Sequence, residues 1–218
     1  MKNMDLQPQE NIIPLNRAII YLTILIITGL LVFYSIGKFL FWNKPEFQSK
    51  TEYDLAVAME NVKKYPQNAL LRVELGWAFA QAGNYDRALE EYQNALKIDK
   101  KNVAAKYNMA LIYLQKNQDQ KAVKLLEELI KERPAFTEAR LTLGEYYLQT
   151  KKYDDALKHF HFVLKANPGT VDYIYLIGQA LEGKGKIKEA IQQYELALRY
   201  VPDFQPAKEA LEKLKAKK

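Results

Sequence analysis

The feature that most constrains this chain is a period. Pro66, Pro134, Pro168 and Pro202 fall on one 34-residue grid, with Lys100 in the vacant slot. Gly76, Ala110, Gly144 and Gly178 share a column, as do Ala88, Ala122, Ala156 and Ala190, and Leu75, Met109, Leu143 and Ile177. Larger residues recur in register too, at Phe79, Tyr113, Tyr147 and Leu181 and at Tyr92, Leu126, Phe160 and Tyr194. A fixed period of this length marks an array of supersecondary units, each burying its apolar face only against its neighbours. Within a unit, Leu89, Tyr92, Ala95 and Leu96 are spaced for one helix face. Each grid proline ends a helix by removing an N–H and restricting the residue before it. Turns such as Gly83-Asn84 and Lys151-Lys152 separate a helix A from a helix B. Small residues at Gly76 and Ala88 allow the two helices to approach, and large ones fill the space between hairpins.

These columns resemble the tetratricopeptide repeat, with its large–Leu–Gly–x–x–Tyr first helix, its Ala–x–x–x–Phe–x–x–Ala second helix and its closing proline. Four uninterrupted repeats run 69–102, 103–136, 137–170 and 171–204, covering 136 of 218 residues. The resemblance implies an all-α, right-handed α-solenoid of helical hairpins. Residues 43–68 read as a linker and an N-terminal half repeat, with Leu55, Ala58, Met59, Val62 and Tyr65 in frame with the later B helices. Residues 205–218 read as an amphipathic capping helix and basic tail, one face carrying Ala207, Ala210, Leu211 and Leu214. Ala110, Asn117 and Leu126 depart from the pattern and mark repeat 2 as a weak spot, though none of them should prevent packing. The position opening helix A holds Arg72, Lys106, Arg140 or Ile174.

Ahead of the repeats, Ala18 to Gly37 is a 20-residue run without an ionisable acid or base. A helix of that length spans about 30 Å, the thickness of bilayer hydrocarbon. Its Ile, Leu, Val and Phe residues favour insertion by about 4 to 7 kcal/mol before the polar residues subtract. Arg17 and Lys38 bracket it, Tyr21, Tyr34 and Trp42 sit near its ends, and no small-x-small cleavage site follows. The reading is an N-terminal tail over 1–17 and an uncleaved transmembrane anchor over 18–42, in contact with the lipid bilayer. Lys38, Lys44 and Lys50 against Lys2 and Arg17 slightly favour a cytosolic repeat domain. The signal-anchor arrangement, a short tail and one apolar run before a long domain, favours export. The resulting expectation is a single-pass protein of the cytoplasmic (inner) membrane with its repeats on the exported side.

Enzymatic constellations fail one by one. There is no cysteine. His159 and His161, two apart on a B helix, point about 200° away from each other rather than converging on a metal. Ser35 and Ser49 have no histidine near them in sequence. Gly178-x4-Gly183-Lys184-Gly185 imitates a phosphate loop but lacks the Ser/Thr and follows no strand. The expectation is no catalytic residue, no cofactor, no metal and no small-molecule substrate. Past residue 50, 27 basic residues face 23 acidic ones, interleaved along every helix. That excess is too diffuse for a nucleic-acid footprint.

What remains is a surface for a polypeptide. In the resembled family the A helices line a concave groove, and its groove-facing columns here hold Leu70, Val73, Glu74 and Trp77; Tyr107, Asn108 and Leu111; Glu138, Leu141, Thr142 and Glu145; and Asp172, Tyr175, Leu176 and Gln179. None is basic, and with Glu182 they describe an acidic, aromatic wall suited to a basic or apolar partner. The carboxylate clamp of chaperone-binding members falls on Val73, Trp77, Asn108, Glu138 and Thr142, where only the asparagine matches. Gln81, Gln115 and Gln149 recur as a polar ladder or as plain solvent-facing turn residues, and Tyr107 and Tyr175 serve the groove or cover neighbouring hairpins. The layout resembles bacterial envelope assembly factors, which implies a membrane-anchored protein–protein interaction scaffold. The alternative is a permanent structural subunit of a larger membrane complex of electron-transfer or export type.

Overall fold

The computed structural model describes residues 15–37 and 49–216, with side chains of the first helix described over 23–36. The tail before residue 15, the anchor's far end with Trp42, Lys38, Lys44, and Lys217 and Lys218 lie outside the described residues, as do the side chains of Arg17 and Tyr21. The chain divides into two units, Met1–Gln48 and Ser49–Lys218.

The first unit contributes α1 (Leu15–Gly37), a helix of 23 residues. Its described side chains are exposed, Leu25 at 69% and Phe33 at 71%. Thr28 donates to the Ile24 carbonyl at 2.9 Å and Ser35 to the Leu31 carbonyl at 2.7 Å, so both hydroxyls are satisfied within the helix. Among the described residues no helix is long and apolar enough to cross a membrane.

The second unit is a tetratricopeptide solenoid built wholly of helices. A lone helix α2 (Lys50–Lys64) precedes four hairpins: α3 (Ala69–Gln81) with α4 (Tyr85–Ile98), α5 (Val103–Gln115) with α6 (Asp119–Glu132), α7 (Thr137–Gln149) with α8 (Tyr153–Ala166), and α9 (Val171–Gly183) with α10 (Ile187–Tyr200). Helix α11 (Gln205–Lys215) closes the stack. Side-chain caps start several helices: Ser49 accepts from the Glu52 N–H, Asn68 from Leu70 and Leu71, and Asn102 from Ala105. Each cap satisfies N–H groups that the helix leaves without partners.

Within each hairpin the small column of helix A meets the aromatic column of helix B. A Cβ on Gly76, Gly144 or Gly178 would fall 2.6, 2.5 or 2.4 Å from a ring carbon of Tyr92, Phe160 or Tyr194. These glycines exist to admit those rings. Repeat 2 solves the same packing with a larger A residue and a smaller B residue, Ala110 and Leu126, both fully buried. Its departure from the pattern is therefore compensated, and packing is kept as the sequence leads one to expect. Burial pushes the Tyr92 phenol up to about 12. At Tyr194 burial and a 2.8 Å hydrogen bond to Glu182 also raise the pKa.

The helix-opening residues staple each hairpin. Arg72 donates to the Pro66 carbonyl and pairs with Glu91 at 2.8 Å. Arg140 repeats the bond to its own grid proline, Pro134, and stacks 3.7 Å over the Phe162 ring. Lys106, only 8% exposed, reaches both oxygens of Glu132. Ile174 in this column is buried instead.

The junctions between repeats differ. Asp86 on α4 pairs with Lys116 after α5 at 2.5 Å, and Asp154 on α8 pairs with Lys184 after α9. These pairs occupy equivalent grid positions. At the junction of repeats 2 and 3 the same positions hold Gln120 and Thr150. Helix α6 lies against α7 about half as extensively as α8 lies against α9. The A-to-B turns show the same division. Each needs a left-handed residue, supplied by Gly83 and Gly185 in the outer repeats but by Asn117 (φ 55°) and Lys151 (φ 61°) in the inner two.

Candidate functional site

Among the described residues the closest approaches between successive repeats' like helices are those of A helices, while no two B helices come as near each other. The A side is therefore the inner one, and clefts open along it where neighbouring repeats splay.

The α3/α5 cleft, of about 270 Å³, is lined by Trp77, Tyr85, Tyr92, Asn108, Leu111 and two glutamines, Gln81 and Gln115. Trp77 is half exposed. The α5/α7 cleft is larger, about 570 Å³, and brings Tyr107, Leu111, Gln115, Asp119, Thr142, Glu145, Tyr146 and Gln149 together. A third, of about 230 Å³, lies between α9 and α11 with Tyr175, Gln179, Glu182, Tyr194, Glu209 and Lys213.

Of the groove residues read from sequence, Trp77, Asn108, Leu111, Tyr107, Thr142, Glu145, Tyr175 and Gln179 thus line clefts. Glu74, Glu138 and Asp172 are exposed; Glu138 and Asp172 stand in the first turns of α7 and α9, where a carboxylate also complements the helix dipole. Leu70 is exposed, and Leu141 and Leu176 pack beside the core of repeats 3 and 4. Val73 is corrected: at 7% exposure it belongs to the core with Leu75, Ala78 and Phe79, because its position turns toward α2 and α4 rather than the groove.

Tyr107 and Tyr175 pack against neighbouring aromatic rings and also line clefts. Tyr107 packs edge-on against Phe136, and Tyr175 against Phe204, at 5.4 and 5.7 Å between ring centres. Their hydroxyls meanwhile face the clefts. Thr142 donates to the Glu138 carbonyl at 2.9 Å, which leaves its oxygen to accept from Tyr107 at 3.1 Å. Tyr175 accepts from Gln179 at 3.1 Å. Gln81, Gln115 and Gln149 are solvent-facing and line the first two clefts as well.

Two charged features set the electrostatics of the α5/α7 cleft. Partial burial holds the Glu145 carboxyl above its ordinary range. Desolvation and the adjacent Asp119 carboxylate raise the Tyr146 phenol. Asp119 and Tyr146 escaped the sequence reading. The signal was available: the opening position of helix B runs Tyr85, Asp119, Tyr153 and Ile187, and only repeat 2 breaks an aromatic or aliphatic column with a charge. In repeat 3 that column's Tyr153 lies against Gly183, where a Cβ would meet its ring at 2.3 Å.

The residues weighed for catalysis have other employment. His159 stacks on Tyr147 with ring centres 5.7 Å apart while His161 is exposed, and burial, helped by Arg140 and Lys158, lowers the His159 pKa. Lys184 of the phosphate-loop lookalike is engaged with Asp154. Among the described residues no group of three His, Asp or Glu is placed to hold a metal ion.

Comparison with known proteins now has a geometry to meet. Tetratricopeptide repeat profiles match residues 79–141 and 120–159 in one form, and 53–103 and 141–206 in another. The second spans more than half of the chain, which belongs to the tetratricopeptide repeat family: it is a non-enzymatic protein–protein interaction scaffold whose groove is the surface for a peptide or protein. Among solved structures, MamA is similar at 21% identity and TM-score 0.61, over 71% of this chain and 95% of that one. YrrB, titled a TPR protein with an unusual peptide-binding site, is similar at 22% identity and TM-score 0.62, over 75% and 84%. MamA of Desulfovibrio magneticus RS-1 from residue 41 onward matches at 22% and TM-score 0.58, over 68% and 93%. At such identities the likeness is one of fold. No curated protein sequence matches.

Proposed function

We propose that this chain is a membrane-anchored scaffold or assembly factor that captures a basic or apolar segment of a partner polypeptide on its A-helix face and holds it at the cytoplasmic membrane, with the repeats on the exported side. The observation that carries the capture is the run of clefts on that face, where Trp77, Tyr107 and Tyr175 supply rigid anchors and Glu145 and Glu182 supply negative charge. Aromatic anchors in partly desolvated pockets are where binding energy concentrates, and like-signed walls select partners by charge. The peptide-binding site named for YrrB lends the reading support by analogy of fold.

The anchor rests on α1. Its 23 residues extend about 34 Å at 1.5 Å per residue, a length comparable with bilayer hydrocarbon, while its described side chains cover 23–36, a stretch too short by itself to be a crossing. Its outward apolar side chains and internally bonded hydroxyls suit lipid, where backbone and side-chain polar groups must find partners within the segment.

Photo-crosslinking from position 77 in membranes, followed by pulldown, tests capture. A crosslinked polypeptide that disappears with Glu145→Lys supports the groove; unchanged crosslinking sinks it. Copurification of a partner at fixed stoichiometry that survives Glu145→Lys identifies a permanent subunit instead. Extraction of the chain by alkaline carbonate would remove the anchor, and protection of the repeats from protease in spheroplasts would overturn the exported orientation.

A further inference from the structure

We infer that the α5/α7 cleft is a pocket for one lysine or arginine side chain of the bound polypeptide, and that the adjoining α3/α5 cleft takes a neighbouring apolar side chain. This rests on the groove reading above and names the partner's chemistry. The three clefts differ in how their charges are balanced. The α9/α11 cleft holds Glu182 and Glu209 but also its own cation, Lys213. The α3/α5 cleft has no charged lining. The α5/α7 cleft carries Asp119 and Glu145 and no lysine or arginine.

Two of the lysines near the α5/α7 cleft are engaged elsewhere. Lys116 points across the junction to Asp86 at 2.5 Å, and Lys121 bonds Gln118 at 2.9 Å and lies over the Tyr113 ring. Glu145 is solvent-exposed where it lines the cleft beside Asp119, and with no lysine or arginine in that lining an incoming guanidinium or ammonium would give the two carboxylates a charge-assisted partner. The aliphatic stem of such a side chain would lie along Leu111 and the Tyr146 ring. The cleft lies at a junction that packs less extensively than that of repeats 3 and 4. The two clefts share Leu111 and Gln115, so one extended segment meets both, and the recognised motif pairs an apolar residue with a basic one.

Fluorescein-labelled short peptide pools, each with a fixed central arginine, citrulline or glutamate flanked by mixtures of Ala, Leu, Phe and Ser, provide the probe. Anisotropy titrations use the full chain in detergent micelles. The arginine pool should bind about tenfold or more tightly than its neutral isostere citrulline, the scale of one charge-assisted hydrogen bond. Asp119→Asn combined with Glu145→Gln should erase that preference, so that arginine and citrulline pools bind alike, with the far-ultraviolet dichroism showing the helices intact. Equal binding of arginine and citrulline pools, or a preference that survives the double substitution, overturns the pocket. Trp77→Ala separates the two layers of the argument. Uniform weakening of all pools keeps the groove even where the pocket fails; no weakening of any pool removes both.

Discussion

Repeats 3 and 4 meet more extensively than repeats 2 and 3 do. At the outer of these junctions an Asp154–Lys184 pair crosses from α8 to α9, Tyr153 packs on Gly183, and Gly185 makes the turn. At the inner one, Gln120 and Thr150 replace the ion pair, Asp119 replaces the packing tyrosine, and Asn117 and Lys151 make their turns at positive φ without being glycine. The cores on either side are equally dry: Leu126, Leu129 and Leu143 are as buried as Phe160 and Ile177. The lesson is that a solenoid can keep every hairpin sound and still loosen one seam, because each repeat meets only its neighbours. Loosening that seam opens a cleft on the inner face.

The largest way to break the comparison is to remove core from the loose side. Leu126→Ala should cost about 2–5 kcal/mol, the range for deleting a fully buried leucine. In a Trp42→Phe background, urea unfolding by Trp77 emission and by far-ultraviolet dichroism should then separate into two transitions. Ile177→Ala, equally buried in the tight half, should keep them coincident. Coincidence in both variants would show the two seams to be alike.

Smaller effects sharpen it. Lys151→Gly should stabilise by about 0.5–1 kcal/mol, relief of a left-handed non-glycine residue less the entropy glycine adds to the unfolded chain. Asn117→Gly should gain less, since asparagine tolerates that conformation, and melting temperatures decide both. Grafting the missing clamp as Gln120→Asp with Thr150→Lys should add no more than about 1 kcal/mol, as exposed pairs do. It should nonetheless slow hydrogen exchange at the start of α7 and narrow the cleft. The smallest effect is a pH signature. Burial raises the Glu145 pKa, so the folded chain holds that proton more tightly than the unfolded one. Its ionisation penalty is full above the raised pKa and is relieved as pH falls through it. Glu145→Gln should therefore melt higher than the unaltered chain at neutral pH, with the gap closing in acid.

Much of the packing was legible in columns. Gly76, Gly144 and Gly178 announced close approach, and the structure seats Tyr92, Phe160 and Tyr194 on them. The Ala110–Leu126 pair read as two departures that should not prevent packing, and contact between columns shows that one change answers the other. Val73 was misplaced, since family columns assign a face but not which neighbour reaches it. The α5/α7 cleft was half visible. Glu145, Tyr107 and Thr142 lie on A helices, where the groove was sought, while Asp119 opens a B helix and reaches the cleft only across the hairpin turn.

By itself the amino-acid sequence determined the repeat, its helical period, its turns and its apolar leader, because these depend on spacing and on residue types a few positions apart. Tertiary structure alone decided which seam is loose and which carboxylates lack a cation. Those are properties of pairs some thirty residues apart, such as Asp154 with Lys184 and Asp119 with Tyr146, whose partners exist only once neighbouring repeats stack.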